Sequence, residues 1–161
     1  MLIGLSFKTI SNDKIIDDIF LKIQNNFINK DFQLIFIPSM RTPKRIIEKA
    51  KVYFDNNQII ITDVDKKAYL SALKLANYIV VTCDSTSMIS EAAITGKPIY
   101  VAQISSSRTN KRFDKFFKLF KSLNIVKDLE NSVVEWSYDK LNETDRISRY
   151  IKEQIKNYDF S

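Results

Sequence analysis

A three-layer α/β fold with a doubly wound parallel sheet, of the Rossmann-like type, is predicted for this chain. Short apolar runs typical of strands alternate five times with amphipathic segments typical of helices. The fourth run, Tyr78–Thr82, is apolar on both faces, as a central parallel strand must be. The length of 161 residues fits one domain with one core, so we expect residues 1–161 to form a single domain.

The first half of the chain supplies three strands and three helices. The predicted strands are Leu2–Leu5, Leu34–Ile37 and Gln58–Ile61. The first helix has an apolar stripe made of Ile15, Ile16, Ile19, Phe20, Ile23 and Phe27. The second helix runs to about Tyr53, and the third spans about Asp65–Ala76. We expect Thr42 to cap the second helix and Pro43 to take its first position, where a missing N–H costs nothing.

The second half begins with the central strand Tyr78–Thr82. A polar turn and a helix through about Thr95 follow it, and Gly96-Lys97-Pro98 ends that helix before the fifth strand, Ile99–Ala102. A helix from Asn110 to about Leu123 carries Phe113, Phe116, Phe117 and Phe120 on one side. The last helix, about 142–158, spaces Ile147, Ile151, Ile155 and Tyr158 for one face. Each of these two helices needs a surface to cover its apolar face.

Composition excludes several classes of protein. No histidine is present, which removes the commonest general base near neutral pH, argues against zinc and makes a hydrolase unfavourable. The single cysteine, Cys83, cannot form an internal disulfide and suits a buried, reduced thiol, so we expect a cytoplasmic protein. The start of the sequence lacks a signal-peptide pattern, and no apolar run is long enough to span a bilayer.

The net charge of +6 favours an anionic partner, but its sign alone does not choose one. A nucleotide and a peripheral membrane surface both remain open. The lysines are spread along the chain, which is equally typical of a solvated basic surface. Nucleic acid is disfavoured, because no aromatic platform accompanies the charge.

The most informative turn is Asp84-Ser85-Thr86-Ser87, after the fourth strand. Ligands of open α/β sheets bind beyond the carboxyl ends of the strands, where helix N-termini present unpaired N–H groups. Ser85, Thr86 and Ser87 add hydroxyl donors there and can surround a phosphate without a glycine loop. The alternative is that Asp84 and the serines only cap the helix.

Glu91 lies four residues after Ser87 and therefore on the same helical face. A carboxylate one turn above a bound phosphate can accept hydrogen bonds from two ribose hydroxyls. The small residues Ala92 and Ala93 let the helix lie close to the sheet. A surface glutamate that favours the helix dipole is the simpler alternative.

Arg41 follows the second strand, where its guanidinium can hold a diphosphate at two points, although an exposed turn arginine would look the same. A third loop, Ser105–Arg108, offers donors and a positive charge, with a flexible polar loop as its alternative. Secondary candidates at the same edge are Gly4, Ser39, Thr42, Asp84, Ser107 and Arg108.

Familiar glycine-rich phosphate motifs are absent from the sequence. Neither a P-loop nor a G-x-G-x-x-G pattern occurs, so hydroxyls must take the place of glycine. Asp63 and Asp65 are spaced as a carboxylate pair that could hold Mg²⁺ with a diphosphate, but Asp65 is better explained as a helix N-cap. We therefore predict no metal site and no cofactor beyond a nucleotide-sugar ligand of the UDP, GDP or ADP type.

Several segments together resemble the ELM1-like family, which includes plant mitochondrial-fission factors and bacterial proteins labelled nucleoside-diphosphate-sugar epimerases. They are Ser39–Pro43, the block Ala76–Ala92 with Thr95–Tyr100, and the tail segments Trp136–Tyr138 and Leu141–Thr144. The chain departs from the family pattern at Met40, where the family has an arginine, and at Leu5, where it has a second glycine. Both changes weaken anion contact or close backbone approach at that edge.

The resemblance implies a GT-B-like architecture. In it, a C-terminal Rossmann-like domain, equivalent to this chain, binds a nucleotide-sugar, and an N-terminal domain supplies the acceptor side of the cleft. Carried over residue by residue, the donor-site positions are Arg41, Ser85, Thr86, Ser87 and Glu91. The resemblance also implies that the last helix crosses onto that second domain, which is not part of this chain.

The sequence therefore predicts a nucleotide or nucleotide-sugar binding domain of a glycosyltransferase-like protein, inactive as an isolated chain. The alternative is a non-catalytic interaction module or decayed half-gene product that forms a homodimer or pairs with a separate N-terminal half. The unpartnered stripe Ile147, Ile151 and Ile155 motivates that alternative.

Overall fold

The computed structural model of the chain describes residues 2–5, 12–54, 57–104 and 111–157. Over these residues the chain forms a parallel sheet of six strands in the order β3-β2-β1-β4-β5-β6. The strands are β1 (Leu2–Leu5), β2 (Ile35–Pro38), β3 (Ile59–Ile60), β4 (Ile79–Thr82), β5 (Ile99–Ala102) and β6 (Val126–Asp128). The order reverses beside β1, so the carboxyl ends of β1 and β4 border the crevice where such sheets bind ligands.

In the described part of the chain, six helices connect and follow the strands. They are α1 (Asp13–Asn26), α2 (Lys44–Tyr53), α3 (Lys66–Leu75), α4 (Thr86–Ala93), α5 (Lys111–Ser122) and α6 (Glu143–Asn157). A short 3₁₀ turn, Ile28–Lys30, follows α1. The first two helices cover one face of the sheet, and α3, α4 and α5 cover the other, as the two hydrophobic clusters show.

Each face of the sheet has its own apolar core. On one side, Ile16 and Phe20 of α1 and Ile46 of α2 are completely buried against Val80 and Tyr100. On the other, the core comprises Ile79, Val81, Ile89, Ala92, Ala93, Ile99 and Val101, with Leu73 and Phe120 at its margins. Burial of α4 through Ala92 and Ala93 agrees with the prediction that small residues bring this helix close to the sheet.

The segment after β6 crosses from one face of the sheet to the other. Tyr100 fixes it, because its hydroxyl donates to the Val134 carbonyl at 2.5 Å and accepts from the Val134 N–H at 2.7 Å. Trp136 packs edge-on against the same tyrosine with ring centroids 5.0 Å apart. Leu141 then donates its N–H to the carbonyl of Ala93 on the opposite face. These contacts lead the chain to the start of α6.

Three local predictions were wrong. The sixth strand was missed because it is three residues long and carries Lys127 and Asp128, which hides any alternation. Helix α4 ends at Ala93, two residues before the predicted end, and Gly96 adopts φ 74° beyond it. Thr42 does not cap α2 as expected: Pro43 is the N-cap residue, and the Thr42 hydroxyl accepts the Ser39 N–H instead.

None of the described helices combines the length and the apolar content that a bilayer crossing requires. The amphipathic faces of α5 and α6 differ in their surroundings. Phe120 of α5 is buried in the core, whereas every residue of α6 from 143 to 156 is exposed.

Candidate functional site

A cleft of about 470 Å³ opens at the carboxyl ends of the strands, between α3, α4 and the loop after β2. Its polar and charged lining residues are Ser39, Arg41, Asp65, Lys66, Tyr69, Ser85, Ser87 and Glu91, and its apolar lining residues are Ile37, Pro38, Met40, Val64, Leu70 and Met88. An apolar pocket with a few converging polar groups is the usual form of a small-molecule site. Four of the five principal sequence candidates therefore lie on one cleft.

Arg41 bridges the loop after β2 and the start of α4. Its Nη2 donates to the Asp84 carbonyl and to the Ser85 Oγ, each at 3.3 Å. Arg41 is exposed, while Ser85 is only 2% exposed. Two weak, long hydrogen bonds thus aim the guanidinium at the start of α4 without consuming its remaining N–H donors.

The turn that carries Arg41 is closed by its own hydroxyl groups. The Ser39 N–H donates to Thr42 Oγ1 at 2.9 Å, and the Arg41 N–H donates to Ser39 Oγ at 3.1 Å. The Thr42 N–H donates to the Ser39 carbonyl at 3.0 Å. Ser39 and Thr42 therefore hold the backbone on which Arg41 stands, and the local turn chemistry explains why both are hydroxyl residues.

The N-cap residue of α4, Ser85, provides no side-chain cap for this helix. Its hydroxyl accepts from Arg41 instead. Side-chain capping would normally satisfy one of the free N–H groups of the first turn. The capping alternative thus does not describe Ser85, and the positive end of α4 faces the cleft together with Arg41.

Glu91 lies one turn further along α4 and lines the same cleft, with Tyr69 of α3 as its neighbour. Burial, and then the adjacent Glu91 carboxylate, raise the pKa of Tyr69 far above its ordinary value. The Tyr69 hydroxyl is buried, yet no described group meets it at normal hydrogen-bond geometry. The phenol therefore keeps its proton and lies beside Glu91 as a donor.

The start of α3 forms the opposite wall. Asp65 caps this helix by accepting from the N–H groups of Lys67 at 2.8 Å and Ala68 at 3.0 Å, as the sequence predicted. The Asp65 carboxylate thus acts as a helix cap, which explains this residue without a Mg²⁺ site shared with Asp63. Among the described residues, no group of three potential metal ligands clusters together. Lys66 adds a second cation to the cleft.

The remaining sequence candidates lie elsewhere. Thr86 is half-buried, and the Asp84 carbonyl accepts a hydrogen bond from Arg41. Neither residue lines the cleft. Gly4 lies in β1, in register with Ile37 of β2 and Val81 of β4. Ser107 and Arg108, with the rest of the third loop, fall outside the described residues.

Cys83 lies directly before the Asp84–Ser87 turn. It is half-buried, and as the single cysteine of the sequence it forms no disulfide within the chain. Its Sγ accepts the Ile104 N–H at 3.3 Å, and burial raises the pKa of the thiol. The thiol therefore stays protonated and unreactive, and its hydrogen bond connects the residue after β4 to the segment after β5.

Sequence reasoning missed Tyr69, Lys66 and the apolar wall of the cleft. Tyr69 follows Asp65 by four residues, so the N-cap assignment already placed both on one helical face. That spacing was the available signal, but nothing in the sequence indicates that α3 faces α4 across a cleft.

Comparisons with known proteins give a consistent family match. The family model described as "Mitochondrial fission ELM1" matches residues 2–155. The mitochondrial fission protein ELM1 of Arabidopsis thaliana is 30% identical, over 70% of this chain and 25% of the relative. An uncharacterized protein of Rickettsia prowazekii (strain Madrid E) is 28% identical, over 97% of this chain and 46% of the relative. The chain thus spans between a quarter and just under half of these relatives.

A solved structure shares the fold. The S. aureus MnaA–UDP co-structure superposes with a TM-score of 0.52 and 19% identity, covering 96% of this chain and 44% of that chain. At this identity the likeness concerns the fold alone. With the parallel strand order, it establishes a Rossmann-like, GT-B-like fold for the chain.

Proposed function

The chain belongs to the mitochondrial fission ELM1 family, and from that premise we propose that its cleft binds a nucleotide or nucleotide-sugar. Arg41 and the N-terminus of α4 receive the diphosphate, with Ser87 as an additional hydroxyl donor. Glu91 accepts hydrogen bonds from the ribose hydroxyls. The S. aureus protein of similar fold was solved as a co-structure with UDP, which agrees with this ligand class but concerns that protein.

The observation that carries the proposal is the contact of Arg41 with Ser85 at the N-terminus of α4. The guanidinium is held 3.3 Å from Ser85 Oγ, so its positive charge adds to the positive end of the helix. Ser87 and Glu91 are four residues apart, a rise of about 6 Å along a helix. That separation suits a phosphate at one end and a ribose at the other.

The apolar wall suits the remainder of the ligand. Val64 and Leu70, both exposed, offer surface that a base or a sugar ring can cover. Lys66 on the α3 wall adds a second positive charge for a diphosphate.

Catalysis is not assigned to this chain alone. Glycosyl transfer needs a general base near the acceptor, and histidine, the commonest one, is absent from the sequence. The longer relatives contain residues beyond the matched region, which can supply an acceptor side. We therefore propose ligand binding as the function of the described cleft.

Isothermal titration with UDP, GDP, ADP and their sugars tests the proposal. Arg41→Ala is expected to weaken binding of the preferred diphosphate about tenfold or more, since a charge-assisted hydrogen bond contributes roughly 1.5–3 kcal/mol. Arg149→Ala, which removes an exposed arginine of α6 away from the cleft, is the matched control and leaves affinity unchanged. The absence of heat and of thermal stabilisation with every nucleotide at millimolar concentration would overturn the proposal.

The complete exposure of α6 favours a second candidate function, an interaction module. An amphipathic helix with no buried residue gains stability only when its apolar face is covered. An N-terminal half, as in the longer relatives, or a second copy of the chain can provide that cover.

A further inference from the structure

The Tyr69 hydroxyl is a buried polar group that packing alone does not explain. The ring of Tyr69 packs against the apolar core shared by α3 and α4. Its hydroxyl oxygen is shielded from solvent, and no described residue meets it at normal hydrogen-bond geometry. Burying a hydroxyl without a partner costs free energy, and phenylalanine would fill the same space without that cost. The hydroxyl group therefore requires a reason beyond the stability of the fold.

Glu91 is the charged group beside this hydroxyl, and its side chain is exposed and lines the cleft. None of the ion pairs among the described residues includes Glu91. Burial, and then the Glu91 carboxylate, raise the pKa of Tyr69 far above its ordinary value, so the phenol keeps its proton. A protonated phenol beside a carboxylate is a donor that fixes the direction of that carboxylate, and a small side-chain rotation completes the hydrogen bond.

Helix α3 is fixed at both of its ends, which sets the position of Tyr69. At the start, the Asp65 carboxylate caps the helix. At the end, the Lys97 ammonium donates to the carbonyls of Leu73 and Lys74, at 2.9 and 2.5 Å. A positive charge at the last turn also complements the negative end of the helix dipole. The phenol therefore has a defined place before any ligand enters the cleft.

The difference in exposure assigns separate tasks to the two residues. The exposed Glu91 carboxylate can reach a ligand, whereas the shielded Tyr69 hydroxyl acts on a ligand only through Glu91. A carboxylate has two acceptor oxygens, which match the two neighbouring hydroxyls of a ribose. When the carboxylate is held in one direction, a ligand that lacks one hydroxyl leaves an oxygen unpaired. A freely rotating carboxylate would turn that oxygen toward water and lose less affinity.

We propose that Tyr69 is a positioning residue that holds Glu91 toward the ribose, so that the cleft selects ribonucleoside diphosphates over their 2′-deoxy analogues. This inference rests on the proposed nucleotide-binding function and specifies the class of ligand. It adds a residue of α3 to a contact that α4 would otherwise make alone. The selectivity then depends on the hydroxyl of Tyr69 and not on its ring.

Calorimetric titration of a matched pair of nucleotides tests this role. The pair is the diphosphate among UDP, GDP and ADP that binds most tightly, and its 2′-deoxy analogue. The wild-type chain should bind the ribonucleotide about tenfold more tightly than the deoxynucleotide. Tyr69→Phe should weaken binding of the ribonucleotide about threefold and leave that of the deoxynucleotide unchanged, so the ratio of the two affinities falls about threefold.

Tyr138→Phe is the matched control. The Tyr138 hydroxyl is likewise buried without a partner at normal geometry, but this residue lines a separate recess outside the cleft. The control variant should leave both affinities and their ratio unchanged. Both variants should nearly keep the wild-type midpoint of thermal unfolding, which separates a lost contact from lost folding.

The outcomes separate the positioning role from the nucleotide-binding function. If the wild-type chain binds none of the nucleotides, the proposed function and the positioning role both fall. If Tyr69→Phe weakens binding of the two nucleotides equally, or of neither, the cleft still binds nucleotides but the positioning role is wrong. If Tyr69→Phe lowers the ratio of affinities just as much in the presence of Glu91→Gln, the phenol acts on the ligand directly, which also overturns the positioning role.

Discussion

The cleft and α6 are two candidate interaction surfaces that differ in how they pack against the core. The two helical walls of the cleft are anchored by buried residues: Ile89 and Ala92 of α4 are fully buried, and Ala72 of α3 is 3% exposed. Helix α6 has no buried residue from 143 to 156. A surface supported by the core keeps its shape before a ligand arrives, whereas an unsupported helix acquires its packing from a partner.

The two surfaces also differ in the kinds of contact that they can make. The cleft holds single polar groups in fixed places, such as Arg41 against Ser85 and Tyr69 beside Glu91. Helix α6 offers an apolar stripe with charged flanks, which suits another helix. A small polar ligand fits the first surface and a macromolecular partner fits the second.

The largest expected effect is on the free energy of unfolding, and it compares a residue that anchors the cleft with a residue of α6. Ile89→Ala removes a completely buried side chain beneath the cleft, so the free energy of unfolding should fall by about 2–5 kcal/mol. Ile151→Ala on the exposed stripe should change it by no more than about 0.5 kcal/mol at concentrations where the chain is monomeric. Urea unfolding of both variants measures the difference, and equal losses would contradict the comparison.

A smaller effect concerns the polar groups of the cleft. Tyr69→Phe should weaken ribonucleotide binding about threefold by removing the donor beside Glu91, with little change in stability because the lost hydroxyl is unpaired. Tyr150→Phe on α6 is the matched control and should leave nucleotide affinity unchanged.

A mutant cycle with Glu91→Gln identifies how the phenol acts. If Tyr69 positions Glu91, adding Tyr69→Phe to Glu91→Gln costs no further affinity. The same variants should bind a dideoxyribose nucleotide as weakly as the wild type does, since that ligand lacks both hydroxyls. Independent, additive losses would show that Tyr69 acts on the ligand by another route.

A further effect is expected at alkaline pH. Burial raises the pKa of Tyr138 to about 12, and burial with the Glu91 carboxylate raises that of Tyr69, from an ordinary value of 10.0. The unfolded chain then releases these protons first, so it binds fewer protons than the native state and stability falls as the pH rises above about 10. Urea unfolding between about pH 9 and about pH 11 should show a shallower decline for Tyr69→Phe and Tyr138→Phe, and identical slopes would contradict the assignment.

Much of the fold was predictable from local pattern. The family resemblance and the Rossmann-like fold are confirmed, and the five predicted strands lie within a residue or two of their predicted bounds. Asp65 was identified as the N-cap of α3 because one acidic residue before a helical pattern is enough to signal it. The strand Val126–Asp128 was not predictable, because a three-residue edge strand with two charges gains its identity only from pairing with β5.

The sequence predicted which residues form the candidate site, but it did not predict which hydrogen bonds some of them make. Ser85 was predicted as a phosphate donor or a helix cap, yet its hydroxyl accepts from Arg41, 44 residues earlier in the chain. Thr42 was expected to cap a helix and instead closes the Arg41 turn. Both outcomes depend on which neighbour competes for one hydroxyl group.

By itself, the sequence determined the alternation of strands and helices, their apolar faces, and the edge of the sheet where the polar turns collect, because these follow from short-range periodicity and from the geometry of parallel strands. Only the tertiary structure decided that α3 faces α4 across an open cleft, that Tyr69 lies beside Glu91, and that α6 is exposed among the described residues. Those facts depend on contacts between residues far apart in the chain, and the periodicity of a segment carries no information about the surface it meets.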